Sequence, residues 1–576
     1  MNKYSWLIGG EAGFGILTTG LTFSKIASRR GYEIFERLEY PSLIRGGHNA
    51  YEVTFGEEEI YDVNPTIDCL VCLNKETFDL HRDRLTSQSF IVFDQDEFSL
   101  DGNFVKINVP FDAIIKKLQG KDVMKNTISL GASLALLGGN LTELNSLIEE
   151  QFGKKGQEIV NFNKKFAEEG FNHVKNNYAK EIKDWLKPAS TKAMVDEQKL
   201  VMTGNDAFSL AAVIADCRMY VSYPMTPSSS VLSTLAAWQT KNNMVVRHAE
   251  DEIAVINTAI GSSFVGVRSA VGTSGGGFAL MVETVSLAGV TETPLVIFIS
   301  QRPGPATGMP TWTEQGDLLF TVHSGHGEFP KIVLAPGGLE EMIELTVKAF
   351  DLADIYQTPV FIMSDMFLSE NHRTIKKKFI DKFIKNYKPN RGKLVNQAST
   401  KYLRYKITDD GISERLIPGV KGVYYQANSY EHLEDGHTTE SAEERIKQAD
   451  KRKRKTITYL NNHFELPKVY GDLEKAELVF ISWGSTKRPV FEAQRLLKEK
   501  GKETALIHFT HVFPLSEEKV KPLFKDGKRY ILVENNGEGQ FGKLLRQETG
   551  VEIKEKLLKY DGRMFTALEI LKQLKD

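Results

Sequence analysis

Apolar and polar positions alternate along this chain in two registers: short apolar runs of strand length, and longer stretches with helical spacing. Trp6-Leu7-Ile8 reads as a strand, Gly9 to Gly15 as a turn, and Ile16 to Ala27 as a helix. Strand-like runs recur at 67–73 and 90–93. From 141 to 186 Leu144, Ile148, Phe152, Ile159, Phe162, Phe166 and Val174 mark helices on a charged background. Lys187-Pro188-Ala189-Ser190-Thr191 breaks that pattern, so 1–186 reads as one domain and 187–200 as a linker. Residues 201–370 alternate apolar runs (219–221, 244–246, 269–271, 294–299, 359–362) with helical stretches, the pattern of a mostly parallel, doubly wound sheet. Residues 371–470 form a polar connecting segment. Its acidic run from Glu431 to Glu444, followed by Lys451-Arg452-Lys453-Arg454-Lys455, reads as a solvated helix whose ends complement its dipole. Runs at 478–483, 504–508 and 530–533 begin a last α/β domain, 471–576. The expected class is multidomain α/β.

Composition narrows the partners. The 576 residues are 41% hydrophobic and carry a formal charge of −2, so no global basic field recruits nucleic acid or an anionic membrane. No run approaches the roughly 20 apolar residues that span a bilayer, and the first residues lack a signal-peptide core, so a cytoplasmic location is expected. Three cysteines exclude a disulfide scaffold and a four-thiolate iron–sulfur site within the chain. Cys69 and Cys72 lie three apart on one strand, facing opposite ways, and cannot share a metal.

Several loops carry candidate chemistry. Gly10-x-x-Gly13-x-Gly15 is a glycine-rich strand-to-helix turn that lets an anion approach backbone N–H groups, or is simply a tight turn. It is neither a dinucleotide fingerprint nor a P-loop. Arg45-Gly46-Gly47-His48 sets a cation beside exposed backbone. Tyr223-Pro224-Met225-Thr226-Pro227-Ser228 fixes the Thr226 hydroxyl between two prolines. Glu250-Asp251-Glu252 leads into an apolar helix, where the three carboxylates complement the helix dipole or one of them enters an apolar site. Gly272-Thr273-Ser274-Gly275-Gly276-Gly277 offers a permissive backbone run. Arg302 follows the apolar strand at 294–299, where open α/β sheets bind ligands; its fork suits a carboxylate or phosphate, or else it is a structural arginine bonding loop carbonyls.

Tyr-Pro-Met-Thr-Pro-Ser-Ser, Glu-Asp-Glu before a helix, Thr-Ser-Gly-Gly-Gly-Phe and Gln-Arg-Pro-Gly-Pro-Ala-Thr-Gly together resemble the α subunit of 2-oxoacid:ferredoxin oxidoreductases. The first domain, with its glycine-rich turn and Arg45-Gly46-Gly47, is similar to the γ unit of that family, here fused in the order γ–α. The last domain, with Glu534-Asn535-Asn536-Gly537, resembles the family's transketolase-C-terminal-like domain. The resemblance implies a γ-type α/β domain, a thiamine-diphosphate pyrimidine-binding domain and a transketolase-C-terminal-like domain. It implies that Glu252 contacts the aminopyrimidine of thiamine diphosphate (Glu250 if the register is two residues off). Tyr223, Pro224, Thr273, Ser274 and Gly275 would line the cofactor. Arg302 would bind the substrate carboxylate, Thr226 would add a hydroxyl, and Thr311 would line the side-chain pocket. Gly13, Gly15 and Arg45 become candidates for coenzyme A. Gly276 departs from the family, whose members often carry proline there.

The chain lacks the Gly-Asp-Gly and distant Asn that hold Mg²⁺ and diphosphate in thiamine enzymes, and it has too few cysteines for a [4Fe–4S] cluster. The resemblance therefore implies a β subunit that supplies both, in a heterodimer or heterotetramer that reduces ferredoxin. No metal site is assigned to this chain. The run from Gly304 to Gln315 looks most like members acting on 2-oxoglutarate. Pyruvate or branched-chain 2-oxoacids, a non-redox transketolase-type reaction and a non-catalytic scaffold are the alternatives, and the direction of reaction is open.

Overall fold

The computed structural model describes residues 3–40, 47–189 and 198–574. They divide into two compact units, one of residues 1–202 with 371–382, the other of 203–370 with 383–576.

The first unit is built on an eight-stranded sheet. Its strand order is Val105–Asn108, Phe90–Phe93, Cys69–Cys72, Lys3–Glu11, His48–Gly56, Glu33–Glu39, Arg373–Lys376 and Lys199–Met202. Lys3–Glu11 runs parallel to Cys69–Cys72 and antiparallel to His48–Gly56 over nine residue pairs. Cys69 and Cys72 are buried in different core clusters, as opposite faces of one strand require. Two features depart from the sequence-based organisation. Lys199, placed in the linker, belongs to a strand, and the supposed connecting segment supplies Arg373–Lys376, which pairs with Glu33–Glu39 and Lys199–Met202. His372 secures that strand by donating its backbone N–H to the buried Glu36 carboxylate at 2.9 Å.

The second unit holds two main sheets and a two-stranded pair, Leu394–Val395 with Arg415–Leu416. The larger runs His511–Phe513, Ile332–Leu334, Pro359–Asp365, Leu295–Gln301, Ser269–Thr273, Met219–Ser222 and Val245–His248. All are parallel except His511–Phe513. Leu295–Gln301 and Pro359–Asp365 are buried at every position, which is why they read as unbroken apolar runs. The second sheet runs Lys468–Tyr470, Thr504–Phe509, Leu478–Trp483, Arg529–Glu534 and Glu555–Leu558. Thr504–Phe509 continues almost directly into His511–Phe513, so one stretch of chain serves both sheets.

The helix Ala442–Asn462 carries the acid-then-base run, but it is not the solvated helix its charges suggest. Lys451 and Lys455 are fully buried and both clasp the buried Glu292 carboxylate at 2.5 Å. Charge alone cannot tell a solvated face from a buried, paired one. No helix among the described residues is long and apolar enough to cross a membrane.

Candidate active site

Four parallel strands of the larger sheet end side by side at Ser222, Thr273, Gln301 and Asp365. Ligands of open α/β sheets bind beyond such carboxyl ends. The loop after Met219–Ser222 is held from several sides. Ser222 Oγ donates to the Gly272 carbonyl at 2.8 Å, and Asn205 Nδ2 to the Pro227 carbonyl at 2.8 Å. Tyr223 and Pro224 are exposed, Thr226 is half-buried, and Thr226-Pro227 is cis. Arg302, nearly buried at the end of Leu295–Gln301, donates from Nη1 to the Thr226 carbonyl at 2.6 Å. The structure thus joins two predicted residues, through the backbone of Thr226 rather than its hydroxyl. Burial lowers the basicity of the Arg302 guanidinium, partly offset by Asp317.

The acidic triplet separates cleanly. Asp251 caps the helix Glu252–Phe264, its carboxylate accepting from the Ala254 N–H at 2.7 Å. Glu250 projects outward, its side chain 74% exposed and 3.6 Å from Arg247. Glu252 turns inward to 4% exposure, with Oε1 buried and without a hydrogen-bond partner. A buried carboxylate oxygen with no donor is costly, so its partner is expected from a bound molecule.

Thr273 and Ser274 are fully buried, and Ser274 Oγ is also without a partner. The glycine run after them is not an open loop: Gly275–Phe278 is a short helix. A Cβ on Gly277 would stand 2.3 Å from Thr273 Oγ1 and 2.5 Å from Glu252 Oε1. Gly276 has only ordinary contact with the Ala306 carbonyl at 3.6 Å, so nothing there requires the proline of relatives.

The run after Arg302 folds back and is fastened to the second sheet. Gly304 to Met309 are exposed, and Gly308, at φ +52°, allows the Met309 N–H to reach the Pro303 carbonyl at 3.0 Å. Thr311 is 9% exposed. Thr313 donates from Oγ1 to Asp365 at 3.1 Å and from its backbone to the Gly562 carbonyl at 2.9 Å. Gln315 donates to the Trp483 and Asn535 carbonyls at 2.9 and 2.7 Å and accepts from the Asn535 N–H at 2.9 Å.

Sequence reasoning missed the acids of this loop. Asp317 Oδ2 is buried and without a partner, and burial together with the raising effect of Asp317 lifts the Glu314 carboxyl to about 7. Burial lifts Asp317 itself to about 6, against the lowering effect of Arg302. Neither lies in a periodic pattern, and no spacing marks them in the sequence.

The coenzyme A candidates belong to the other unit. Gly13 and Gly15 both have positive φ, and Gly15 precedes the helix Ile16–Arg29. Below Gly15 opens a cavity of about 270 Å³ whose lining includes Thr18, Thr22, Asn126 and Asn163 and bears no formal charge. Arg45 lies outside the described residues. Among the described residues no group of three His, Cys, Asp or Glu side chains converges to hold a metal ion.

The chain is similar to known proteins along its whole length. Residues 5–173 match the family "Pyruvate ferredoxin/flavodoxin oxidoreductase", and residues 210–451 match "Pyruvate flavodoxin/ferredoxin oxidoreductase, thiamine diP-bdg". The 2-oxoacid:ferredoxin oxidoreductase subunit alpha of Sulfolobus sp is 32% identical, over 100% of this chain and 97% of that protein. The 2-oxoglutarate synthase subunit KorA of Methanocaldococcus jannaschii is 33% identical, over 58% of this chain and 88% of its own length. A solved 2-oxoglutarate:ferredoxin oxidoreductase from Magnetococcus marinus, with 2-oxoglutarate, coenzyme A and succinyl-CoA bound, superposes with a TM-score of 0.90 at 28% identity, covering 100% of this chain and 99% of that one. The chain belongs to the family of 2-oxoacid:ferredoxin oxidoreductase α subunits, thiamine-diphosphate-dependent enzymes.

Proposed function

We propose that this chain, paired with a β subunit, converts a 2-oxoacid and coenzyme A to acyl-CoA and CO₂ while reducing ferredoxin, with 2-oxoglutarate the favoured substrate. The observation that carries the reading is the buried, unpartnered Glu252 oxygen packed against Thr273 and Gly277, in the same unit as Arg302 and its Thr226 contact. These residues fit the pyrimidine half of thiamine diphosphate, a ring whose nitrogens need a buried carboxyl and hydroxyl. When bound, that cofactor supplies the carbon nucleophile and electron sink that decarboxylation of a 2-oxoacid requires.

The chain's own residues do the rest. Glu252 would hold a proton at the pyrimidine ring nitrogen, and Ser274 and Thr273 would orient the ring. The nearly buried Arg302 would take the 1-carboxylate of the substrate in a charge-assisted pair and set its carbonyl against the cofactor. Thr311 would border the side-chain pocket, on a loop held by the Thr313 and Gln315 contacts. Gly13, Gly15 and Arg45 remain the proposed coenzyme A contacts. The β subunit would bring Mg²⁺, the diphosphate ligands and a [4Fe–4S] cluster.

The 2-oxoglutarate preference draws on the relatives from M. jannaschii and M. marinus. It is tested by specificity constants for 2-oxoglutarate, pyruvate and a branched-chain 2-oxoacid on the reconstituted complex. 2-Oxoglutarate should lead; a preference for either other acid refutes the assignment while leaving the reaction class intact.

A further inference from the structure

Between Thr313 and Asp317 the loop after Arg302 belongs to no helix or strand, so its backbone polar groups find partners elsewhere. They find them in the segment that follows the strand Arg529–Glu534. Asn536 Nδ2 donates to the Gln315 carbonyl at 2.9 Å, and Gln540 Nε2 to the Gly316 carbonyl at 2.6 Å. Gln540 Oε1 accepts from the Leu319 N–H at 3.0 Å, so one amide grips both the loop and the start of the helix Leu318–Val322. The far side of the loop is tied to the site. The Asp317 N–H donates at 3.0 Å to Gln301 Oε1, and Gln301 Nε2 donates to the Ser364 carbonyl at 2.9 Å. Gln301 closes the strand Leu295–Gln301, and Arg302 is the next residue. Asp317 also packs against the Thr273-Ser274-Gly275 turn, where a Cβ on Gly275 would stand 2.4 Å from its Oδ2.

Asn536 is 1% exposed, and every hydrogen-bonding position of its amide is used. Its other N–H goes to Glu534 Oε1 at 2.7 Å, and its Oδ1 accepts from the Glu538 and Gly539 N–H groups at 3.0 and 2.7 Å. An amide with both N–H groups and both lone pairs engaged has one orientation. A carboxylate of the same shape would turn an oxygen toward the Gln315 carbonyl and toward Glu534, which are both acceptors. Asn536 and Gln540 lie beyond the last ladder pair of their strand, Glu534 with Leu558, so they add nothing to the pairing of that sheet. Their side-chain amides end on the loop.

We propose that Asn536 and Gln540 are positioning residues for the 2-oxoacid: their amides fix the loop 313–319 and, through Asp317 and Gln301, the strand end from which Arg302 projects. The domain that carries the second sheet thereby sets substrate affinity without touching the substrate. The inference rests on Arg302 as the substrate's carboxylate site, and the test separates the two.

The experiment uses the complex with the β subunit. It measures KM and kcat for the 2-oxoacid, KM for coenzyme A and the thiamine diphosphate concentration that gives half-activation. The variants are Asn536→Asp, Gln540→Glu, Thr549→Val and Arg302→Lys. Gln540→Glu keeps the acceptor for Leu319 and loses only the donor to Gly316, so it decides the matter if Asn536→Asp does not fold. Both should raise KM for the 2-oxoacid by about tenfold or more, with a smaller change in kcat and with the coenzyme A and thiamine diphosphate constants held within about twofold. Thr549 lies on the same helix as Gln540, but its hydroxyl bonds the Leu545 carbonyl at 2.6 Å and the Val551 N–H at 3.3 Å rather than the loop. Thr549→Val should therefore lower the thermal midpoint and leave every constant near wild type. An unchanged 2-oxoacid KM in Gln540→Glu overturns the proposal. So does a rise shared equally by the coenzyme A and thiamine diphosphate constants, or one that Thr549→Val reproduces. Arg302→Lys should also raise the 2-oxoacid KM; if it does not while Gln540→Glu does, the reading of Arg302 fails and the positioning role stands.

Discussion

At the scale of the residue, the site depends on which carboxylate of Glu250-Asp251-Glu252 faces inward. All three stand at one helix start, where charge alone is explained by the dipole. Capping decides: Asp251 spends its oxygen on the Ala254 N–H, which starts the helix at Glu252 and turns that side chain into the core. Glu252→Gln should therefore lower turnover of the complex by about 10²–10⁴-fold, while Glu250→Gln, at an exposed position, should leave it near wild type. Steady-state rates on the purified complexes check both. The position of Glu252 was legible in the sequence because motif and helix start coincide. Asp317 was not, because its burial comes from a loop fold rather than from a pattern.

A second residue yields a pH prediction. Glu534, buried at the end of Arg529–Glu534, accepts from the Trp483 Nε1–H at 3.1 Å and the Phe541 N–H at 2.9 Å. Burial nevertheless outweighs these donors and raises its carboxyl from 4.5 to about 7. The folded state then holds this proton more tightly than the unfolded chain. Its contribution is full below about 4.5 and is lost as pH rises through about 7. Denaturation across this range should show wild-type stability falling relative to Glu534→Gln as pH rises, and levelling above about 7. A difference independent of pH would contradict the assignment.

At the scale of the element, what the sequence showed well were buried parallel strands, and what it hid were strands with charges inside. Leu295–Gln301 announces itself by composition. Glu33–Glu39 and His48–Gly56 do not, because Glu36 and Glu52 point into the protein, where Ser24 and His372, and Arg37, Arg84 and Ser5, satisfy them. Partners so distant in sequence leave no local trace. Arg373–Lys376 was hidden for the same reason: its strand neighbours lie more than 170 residues away. The helix Ala442–Asn462 makes the point energetically. Removing the charge that two buried lysines share leaves both uncompensated, so Glu292→Gln should destabilise the protein by about 3–5 kcal/mol. Urea denaturation measures this, and a loss below about 1 kcal/mol would mean that the lysines are solvated after all.

At the scale of the whole molecule, the chain is proposed to hold half of a chemistry. The carboxyl, hydroxyls and arginine suited to one end of thiamine diphosphate and to a 2-oxoacid gather at the carboxyl ends of one parallel sheet, on loops fastened to a second sheet. The three cysteines, all buried and with thiols raised by desolvation, are dispersed through the cores rather than gathered for electron transfer. The motif order led the sequence reading to expect this division of labour before any geometry. The returning strand and the pinned substrate loop needed the fold.

The central claim is that this chain binds the substrate and half the cofactor of a redox reaction whose electrons leave through a partner. The most direct test is coenzyme A-dependent reduction of a viologen dye by 2-oxoglutarate, measured for the chain alone, the β subunit alone and the two together with thiamine diphosphate and Mg²⁺. The account predicts reduction only in the reconstituted complex, lost again with Glu252→Gln. Reduction by the isolated chain, or none by the complete complex with any 2-oxoacid, would contradict it.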